Sequence, residues 1–381
     1  MAPGVVPPKT TLAPRPAPGP PAAPKGGAVS GPLRCSVGIM AYNEEENIAN
    51  AIVTVLGQRH QAQEISEMVV VASGCTDRTV EIVRALARQD PRITLIVQHE
   101  RAGKASAINL FLQAARSPIL LMVSADVLVR EGTVDALIAH FRDPSVGMVG
   151  GHPIPVNDEQ TFLGHTVHMM WRLHDRIARE SPKLGEIVAF RNVISAIPPD
   201  TAVDEISIQA AITALGYRLV YEPRAVVFNR GPTTVADFLR QRRRIAAGHY
   251  QVAREQDYVP STMSIWRVGS ALVSDEVWTL GAVALEATAR GLGFVDFLRH
   301  RPHHIWATAS TTKHDIAREA AALAGAELVG LASPDLLGAA PPPRPDPPGR
   351  AAPSHRAVRP RGPGGSSLVQ RLRPEGGSPW E

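Results

Sequence analysis

Four short apolar runs that alternate with amphipathic stretches dominate the first third of the chain and constrain its fold most strongly. The runs are residues 35–42, 67–73, 93–98 and 118–126, and the stretches between them are residues 45–58, 77–89 and 103–116. Continuous β-branched runs are typical of strands buried on both faces of a parallel sheet, and the amphipathic stretches are typical of crossover helices. The pattern predicts a doubly wound α/β fold, with a mostly parallel sheet flanked by helices.

Beyond residue 149 the alternation becomes less regular. We predict helices at residues 158–179, 204–217, 233–254, 279–293 and 314–332, a short strand at 185–192 and a bent pair of strands at 218–229. Residues 1–33 and 333–381 are rich in proline and poor in residues that can pack, so we expect disordered tails there. Between the tails we expect a main α/β domain over residues 34–255 and a C-terminal helical extension over residues 256–332.

Charge and cysteine content limit the compartment and the partners. The 381 residues carry a formal net charge of +4, which suits an anionic small molecule or a membrane surface but does not indicate nucleic acid. Cys35 and Cys75 cannot form a disulfide framework, and the N-terminal tail lacks the apolar region of a secretory signal. We therefore expect a cytoplasmic protein.

The stretch of residues 279–299 is amphipathic, with cationic residues beside it, but it contains charges and is not a membrane span. We favour packing of this stretch against the main domain. The alternative is a peripheral contact with the inner face of the membrane.

Polar side chains follow each of the four predicted strands. They are Asn43 and Glu44 after the first strand, Asp77 after the second, Lys104 and Asn109 after the third, and Asp126 after the fourth. Ligands of doubly wound sheets bind outside the carboxyl ends of the strands, so we expect these side chains to border a polar crevice. Taken singly, Asn or Asp at such a position also fits an ordinary helix cap.

Two common nucleotide-binding motifs are missing from this edge. A phosphate-binding loop ending at Gly103 and Lys104 would need glycine in place of Gln98 and a hydroxyl residue in place of Ala105. No G-x-G-x-x-G follows the first strand, which disfavours a dinucleotide-dependent dehydrogenase.

The segments together resemble family 2 inverting glycosyltransferases of the GT-A fold, over about residues 35 to 249. In family order they are YNEE at 42–45, ASGCTDRT at 72–79, GKASAIN at 103–109, SAD at 124–126, GEIVAFR at 185–191, DE at 204–205 and QRRRI at 241–245. The resemblance implies that residues 34–255 form a GT-A domain. It also implies a nucleotide-diphosphate sugar as donor and a glycan, a lipid-linked molecule or a small molecule as acceptor.

The resemblance and the residue chemistry together predict roles for the site residues. Asp126 would hold Mg²⁺ or Mn²⁺, since such an ion takes most of its ligands from phosphate and water. Asp204 and Glu205 are the candidate bases: Glu205 aligns with the family's aspartate, and we leave the choice open. The donor-binding candidates are Tyr42, Asn43, Glu44, Asp77, Lys104, Asn109, Gln241 and Arg244. Gln241 and Arg244 lie three apart and so share a helix face, whereas for Arg240, Arg242 and Arg243 we expect a solvated face.

Departures from the family pattern bear on specificity and activity. Ala72 and Ser73 stand where the family usually has an aspartate that contacts the nucleotide base. The sequence therefore does not decide which base the donor carries, and UDP is the default. Ile245 replaces the tryptophan of processive members, which favours a non-processive transferase. The alternative functions are a nucleotidyltransferase and a catalytically inactive scaffold that binds sugar nucleotides.

Overall fold

The fold was obtained as a computed structural model that describes residues 31–58, 63–264, 268, 279–301, 310–325, 328 and 370–372. Apart from residues 31–33 and 370–372, the predicted tails lie outside these residues. Part of the predicted helix at 314–332 lies outside them as well.

The strands of the described residues form one sheet. They are β1 (Leu33–Ala41), β2 (Gln63–Ser73), β3 (Ile93–Gln98), β4 (Ile119–Ser124), β5 (Leu128–Val129), β6 (Val146–Pro155), β7 (Ile187–Arg191), β8 (Arg218–Asn229) and β9 (Gln370–Leu372). Their order across the sheet is β5-β8-β6-β7-β4-β1-β2-β3-β9. Neighbours among β1 to β4 run parallel, whereas β7 runs antiparallel to both β4 and β6. The predicted α/β fold is confirmed, and its sheet is mixed beyond β4.

Helices cover both faces of the sheet. They are α1 (Ile48–Leu56), α2 (Thr79–Gln89), α3 (Lys104–Ala114), α4 (Thr133–Ala139), α5 (Phe162–Glu180), α6 (Asp204–Ala214), α7 (Val235–Glu255), α8 (Thr279–Leu298) and α9 (Ala317–Ala324). Apolar residues of α1, α2 and α4 pack on one face, and those of α3, α5 and α6 pack on the other. This division follows from the strand pleat: Val69 and Val71 point to one face while Met68 and Val70 point to the other.

The second half of the sheet departs from the predictions. The sequence pattern does not predict strand β6 or the short elements β5 and α4. For β6 the reason is that glycines interrupt its apolar pattern. A Cβ atom on Gly147 would lie 2.3 Å from Cβ of Tyr217, and one on Gly151 would lie 2.5 Å from the main-chain oxygen of Ala225. Residues 218–229 form the single strand β8 rather than a pair, and its pairing with β6 shifts register part-way along.

The order in which strands are added to the sheet switches at β1, because β2 and β3 lie on one side of it and β4 lies on the other. This switch point positions the site. Met40 pairs with Ser124, so the chain leaves the two strands at the same level and brings Tyr42 and Asp126 to one edge. Because β7 is antiparallel to β4, its first residues meet the end of β4, and the main-chain N–H of Ser124 donates to the carbonyl of Glu186 at 3.1 Å. A crevice at such a switch point is the usual ligand site of an open α/β sheet.

None of the helices within the described ranges combines the length and the apolar character needed to cross a membrane.

Candidate active site

A cavity of about 890 Å³ opens at the carboxyl edge of β1 and β4. Most of the predicted site residues line it, namely Tyr42, Glu44, Lys104, Asp126, Asp204, Glu205, Gln241 and Arg244. Their positions come from five parts of the fold: the end of β1, the end of β4, the start of α3, the start of α6 and the middle of α7. The structure therefore brings residues from 42 to 244 around one space.

Three predicted residues do not line this cavity, and their side chains hold loops together. Oδ1 of Asn43 accepts a hydrogen bond from the main-chain N–H of Thr76 at 2.7 Å. Asp77 accepts from the main-chain N–H groups of Glu45 and Thr79, both at 3.0 Å. Asn109 exchanges two hydrogen bonds with the main chain of Ile197. These contacts match the capping and turn roles that short polar side chains often fill.

Carboxylates crowd the edge where β1, β4 and β7 meet. Burial and the charge of Asp126 raise the pKa of Glu44 to about 8, although Lys313 opposes the shift. Burial, Asp126 and Glu205 raise the pKa of Glu186 to about 7, and burial also raises the pKa of Asp126. Like charges in a poorly solvated place disfavour one another's ionisation. A divalent cation bound among them would remove this repulsion.

Lys104, the first residue of α3, forms ion pairs with the two acids at the start of α6. Its ammonium lies 2.8 Å from Oε1 of Glu205 and 3.1 Å from Oδ2 of Asp204. Burial alone would raise the pKa of Glu205, but Lys104 outweighs burial and lowers that pKa to about 2. The pKa of Asp204 is raised because burial outweighs Lys104 there, and within the described part of the chain its Oδ1 accepts no hydrogen bond. The two acids thus differ: Glu205 is held as an anion, and Asp204 binds a proton more readily.

Helix α7 presents Gln241 and Arg244 to the cavity, as their spacing predicts. Burial lowers the pKa of the Arg244 guanidinium, although Asp204, Glu205 and Glu186 oppose the shift. With a reference value above 12, the guanidinium still keeps its charge. A charged group in this position can bind a diphosphate.

Arg242 and Arg243 do not form the solvated face that the sequence predicts, because helix α8 packs against them. Both nitrogens of the Arg242 fork bond to Glu286, at 2.7 and 2.8 Å, and Arg243 pairs with Asp296 at 2.6 Å. The side chain of Asp296 is only 1% exposed. These two arginines therefore fasten α8 to α7 and are unlike Arg240, which is 48% exposed and pairs with Asp237.

Several cavity residues have no counterpart in the predicted site. They are Arg101, Trp171, Lys183, Glu186 and Lys313. The guanidinium of Arg101 lies 3.9 Å from the centre of the Tyr42 ring. Glu186 lies in the predicted segment GEIVAFR and has a φ of +60°, which is unusual for a residue other than glycine. The sequence pattern identifies the segment GEIVAFR, but it does not show that the backbone at Glu186 turns this side chain into the cavity. Glu186 is therefore not among the predicted site residues.

The residues present fit a hard divalent cation. No group of three His, Cys, Asp or Glu side chains within the described ranges forms a metal cage by itself. The fit rests instead on Asp126 beside Glu44 and Glu186, whose pKa values are raised first by burial and then by the charge of Asp126. It also rests on Oε2 of Glu44, which is buried and accepts no hydrogen bond within those ranges. An ion that completes its shell with phosphate and water needs few carboxylates.

Comparison with protein families agrees with this arrangement of elements and side chains. A family model described as Glycosyl transferase family 2 matches residues 36–197, and one described as Glycosyl transferase family group 2 matches residues 119–295. The chain belongs to glycosyltransferase family 2. The two matched ranges contain every predicted site residue of this family 2 enzyme, from Tyr42 to Arg244.

Curated relatives of this glycosyltransferase include poly-β-1,6-N-acetyl-D-glucosamine synthases. The synthase of Staphylococcus aureus strain COL is 26% identical over 227 residues, which are 56% of this chain and 54% of that protein. The synthase of Staphylococcus epidermidis is 23% identical over a region of the same length. The chain spans about half the length of the curated relatives it matches.

Among solved structures, the mannosyltransferase PcManGT from Pyrobaculum calidifontis, in complex with GDP-Man and Mn²⁺, has the same fold. It superposes with a TM-score of 0.53 at 22% sequence identity, and the match covers 71% of this glycosyltransferase and 89% of that chain.

Proposed function

We propose that this family 2 glycosyltransferase moves a sugar from a nucleotide diphosphate to a hydroxyl acceptor, with inversion at the anomeric carbon and with a divalent metal. The single observation that carries the proposal is the position of Asp126. This carboxylate lies at the end of β4 and lines one cavity together with Lys104, Asp204 and Arg244. The reaction needs a metal-binding carboxylate, a carboxylate that accepts a proton and a cation that binds the diphosphate, all within reach of one bound donor.

The donor would lie along the carboxyl ends of β1 and β4. Tyr42 and Arg101 are available beside the nucleotide, because their stacked side chains line the same wall of the cavity. Asp126, next to Glu44 and Glu186, would hold Mg²⁺ or Mn²⁺, which when bound neutralises the charge of the diphosphate. The solved mannosyltransferase with GDP-Man and Mn²⁺ supports this choice of ligands.

Inversion requires one direct displacement. The acceptor oxygen forms a bond to the anomeric carbon while the bond from that carbon to the diphosphate oxygen breaks, and its electron pair leaves with the diphosphate. The acceptor proton passes to a carboxylate of the pair at the start of α6. Within this pair Asp204 is the better proton acceptor in the donor-free protein, because its pKa is raised whereas that of Glu205 is about 2.

Cations on the opposite wall would stabilise the leaving group. Arg244 is half-buried on α7 and keeps its charge, so it can form charge-assisted hydrogen bonds to the diphosphate as the charge of that group grows. Gln241, one helical turn earlier, borders the same space. Lys104 holds the acidic pair in place from the side of α3.

The acceptor would enter along α7 and the loop before β7. Ile245 lines the cavity where the resemblance expects a tryptophan in processive members, and this supports a non-processive transfer. The acceptor class is a glycan, a lipid-linked molecule or a small molecule. The poly-N-acetylglucosamine synthases among the relatives favour an amino-sugar glycan as the first acceptor to test.

The test is turnover of UDP-, GDP- and dTDP-sugars with Mn²⁺, compared between the wild type, Asp126→Asn and the control Asp158→Asn. Asp158 is an exposed acid at the turn before α5 and does not line the cavity. We expect turnover with at least one donor, loss of at least about 100-fold in Asp126→Asn and no change in the control. Nuclear magnetic resonance of the product reports its anomeric configuration. Nucleotide binding without any turnover would instead support a scaffold. Release of a sugar 1-phosphate, the leaving group of nucleotidyl transfer from such a donor, would support a nucleotidyltransferase.

A further inference from the structure

Residues 310–319 connect two parts of the cavity wall that are far apart in the chain. Oγ1 of Thr311 donates to Asp237, at the start of α7, at 2.9 Å. The main-chain N–H of Asp315 donates to Glu46 at 3.0 Å, and Glu319 pairs with Arg230 at 2.7 Å. The segment is therefore anchored to α7 at Thr311, to the turn that leads into α1 at Asp315, and to Arg230, just after β8, at Glu319.

Between these anchors, Lys313 reaches the loop that leaves β1. Its ammonium donates to the main-chain oxygen of Tyr42, to that of Asn43 at 2.9 Å and to Oε1 of Glu44 at 2.5 Å. Its own main-chain oxygen accepts from Nδ2 of Asn47 at 2.7 Å. An ammonium has three protons, so these three acceptors use all of them and fix the ammonium in one place.

The loop needs such a partner because its backbone is unusual. Asn43 has a φ of +52°, a region that residues other than glycine seldom adopt. In this conformation the carbonyls of Tyr42 and Asn43 both point toward Lys313, while the side chains of Tyr42 and Glu44 line the cavity. Removing the ammonium would leave two carbonyls and a buried carboxylate without their shared donor.

We propose that Lys313 is a positioning residue for nucleotide binding. It holds the residues 42–44 in the conformation in which Tyr42 and Glu44 face the donor, so the segment around it sets the affinity of the site for a nucleotide diphosphate. Lys313 lies outside both regions matched by the family models, which end at residues 197 and 295. The inference rests on the proposed function, because it assumes that the donor binds along the end of β1.

The experiment uses the full chain and measures the binding of UDP, GDP and dTDP with Mn²⁺ by calorimetry. The variants are Lys313→Met and the double variant Lys313→Met with Glu44→Gln, which leaves no unpaired carboxylate. The control is Arg318→Ala, an exposed cation on the first turn of α9 in the same segment. Thermal unfolding of each variant fixes a working temperature at which all of them are folded.

In Lys313→Met we expect the dissociation constant of the preferred nucleotide and the KM of its sugar donor to rise about tenfold. We expect kcat to change by less than about twofold, because a loop held before binding affects the ground state and the transition state alike. The double variant should stay weak even if its thermal stability recovers, and Arg318→Ala should match the wild type.

Two outcomes would overturn the inference. One is unchanged nucleotide affinity in both lysine variants, with lower thermal stability only, which would make Lys313 purely structural. The other is a fall in kcat without a change in KM. A wild-type chain that binds none of the three nucleotides would overturn the proposed function itself, and this inference with it.

Discussion

Nζ of Lys104 lies 2.8 Å from Oε1 of Glu205, although 101 residues separate the two in the chain. The same ammonium lies 3.1 Å from Asp204, so a single cation at the start of α3 contacts both candidate bases. The net effect on the two acids is opposite: Lys104 outweighs burial at Glu205 and lowers its pKa, whereas burial outweighs Lys104 at Asp204 and raises its pKa. The resemblance to the family points to Glu205 as the base, whereas the electrostatics of the site point to Asp204.

Amide substitutions separate the two acids. In Asp204→Asn we expect kcat to fall by about 10²–10⁴, the usual contribution of a general base, with little change in the donor KM. In Glu205→Gln we expect a smaller fall of about tenfold, because Lys104 then loses its stronger partner. Steady-state kinetics at saturating acceptor provide the measurement. A larger loss in Glu205→Gln than in Asp204→Asn would assign the base to Glu205 instead.

Arg244 should matter for departure of the diphosphate rather than for folding. In Arg244→Gln we expect kcat/KM for the donor to fall by about 10²–10³, since one preorganised charged donor is lost. Lysine cannot reproduce the planar fork, so Arg244→Lys should recover only part of the loss. The matched control is Arg254→Gln, at the end of the same helix, where the guanidinium pairs with Glu255 near the surface. Equal losses in Arg244→Gln and in the control would contradict this role.

The pH dependence of stability should reveal Glu44. Its pKa of about 8 lies above its ordinary 4.5, so its stabilising contribution is complete below about pH 4.5 and is lost as the pH rises through about 8. Glu44→Gln cannot ionise and should gain about 1–3 kcal/mol over the wild type between pH 5 and pH 8.5 in metal-free buffer. Chemical unfolding at the two pH values measures this difference. The exposed Glu81→Gln on α2 serves as the control, and an equal shift in both variants would refute the assignment.

The outer face of α8 predicts a contact with anionic membranes. One face of this helix packs against α7, whereas Leu280 and Leu298 are 82% and 59% exposed on the other, near the cationic Arg299. Leu280→Ser with Leu298→Ser should reduce cosedimentation with phosphatidylglycerol vesicles about tenfold or more, because exposed leucines contribute strongly to burial in lipid. Leu323→Ser on α9 is the control. Failure of the wild type to sediment would remove the membrane contact altogether.

The sequence was most informative where local pattern decides structure. The runs at 93–98 and 118–126 became β3 and β4 almost residue for residue, because uninterrupted apolar runs have few other uses in an α/β chain. Strand β6 escaped prediction because Gly147 and Gly151 are required by close packing and not by strand preference.

Site residues were predicted less evenly, for a physical reason. The end of a strand fixes where a residue lies but not where its side chain points, and so Asp126 lines the cavity whereas Asn43 and Asp77 hold loops. Glu186 reaches the site because β7 pairs antiparallel with β4, and Lys313 reaches it through a contact with a residue some 270 positions earlier in the chain. Neither relationship leaves a periodic signal in the chain.

The bond from Lys313 to the main chain of Asn43 also affects the order of events during synthesis. Strands β1 to β4 can pair once about the first third of the chain has emerged, since their contacts are comparatively local. The loop after β1 must wait for residue 313, and contacts between such distant residues form late and slowly. A ribosome-bound fragment in which β1 to β4 are already paired would therefore still bind the nucleotide-sugar donor weakly.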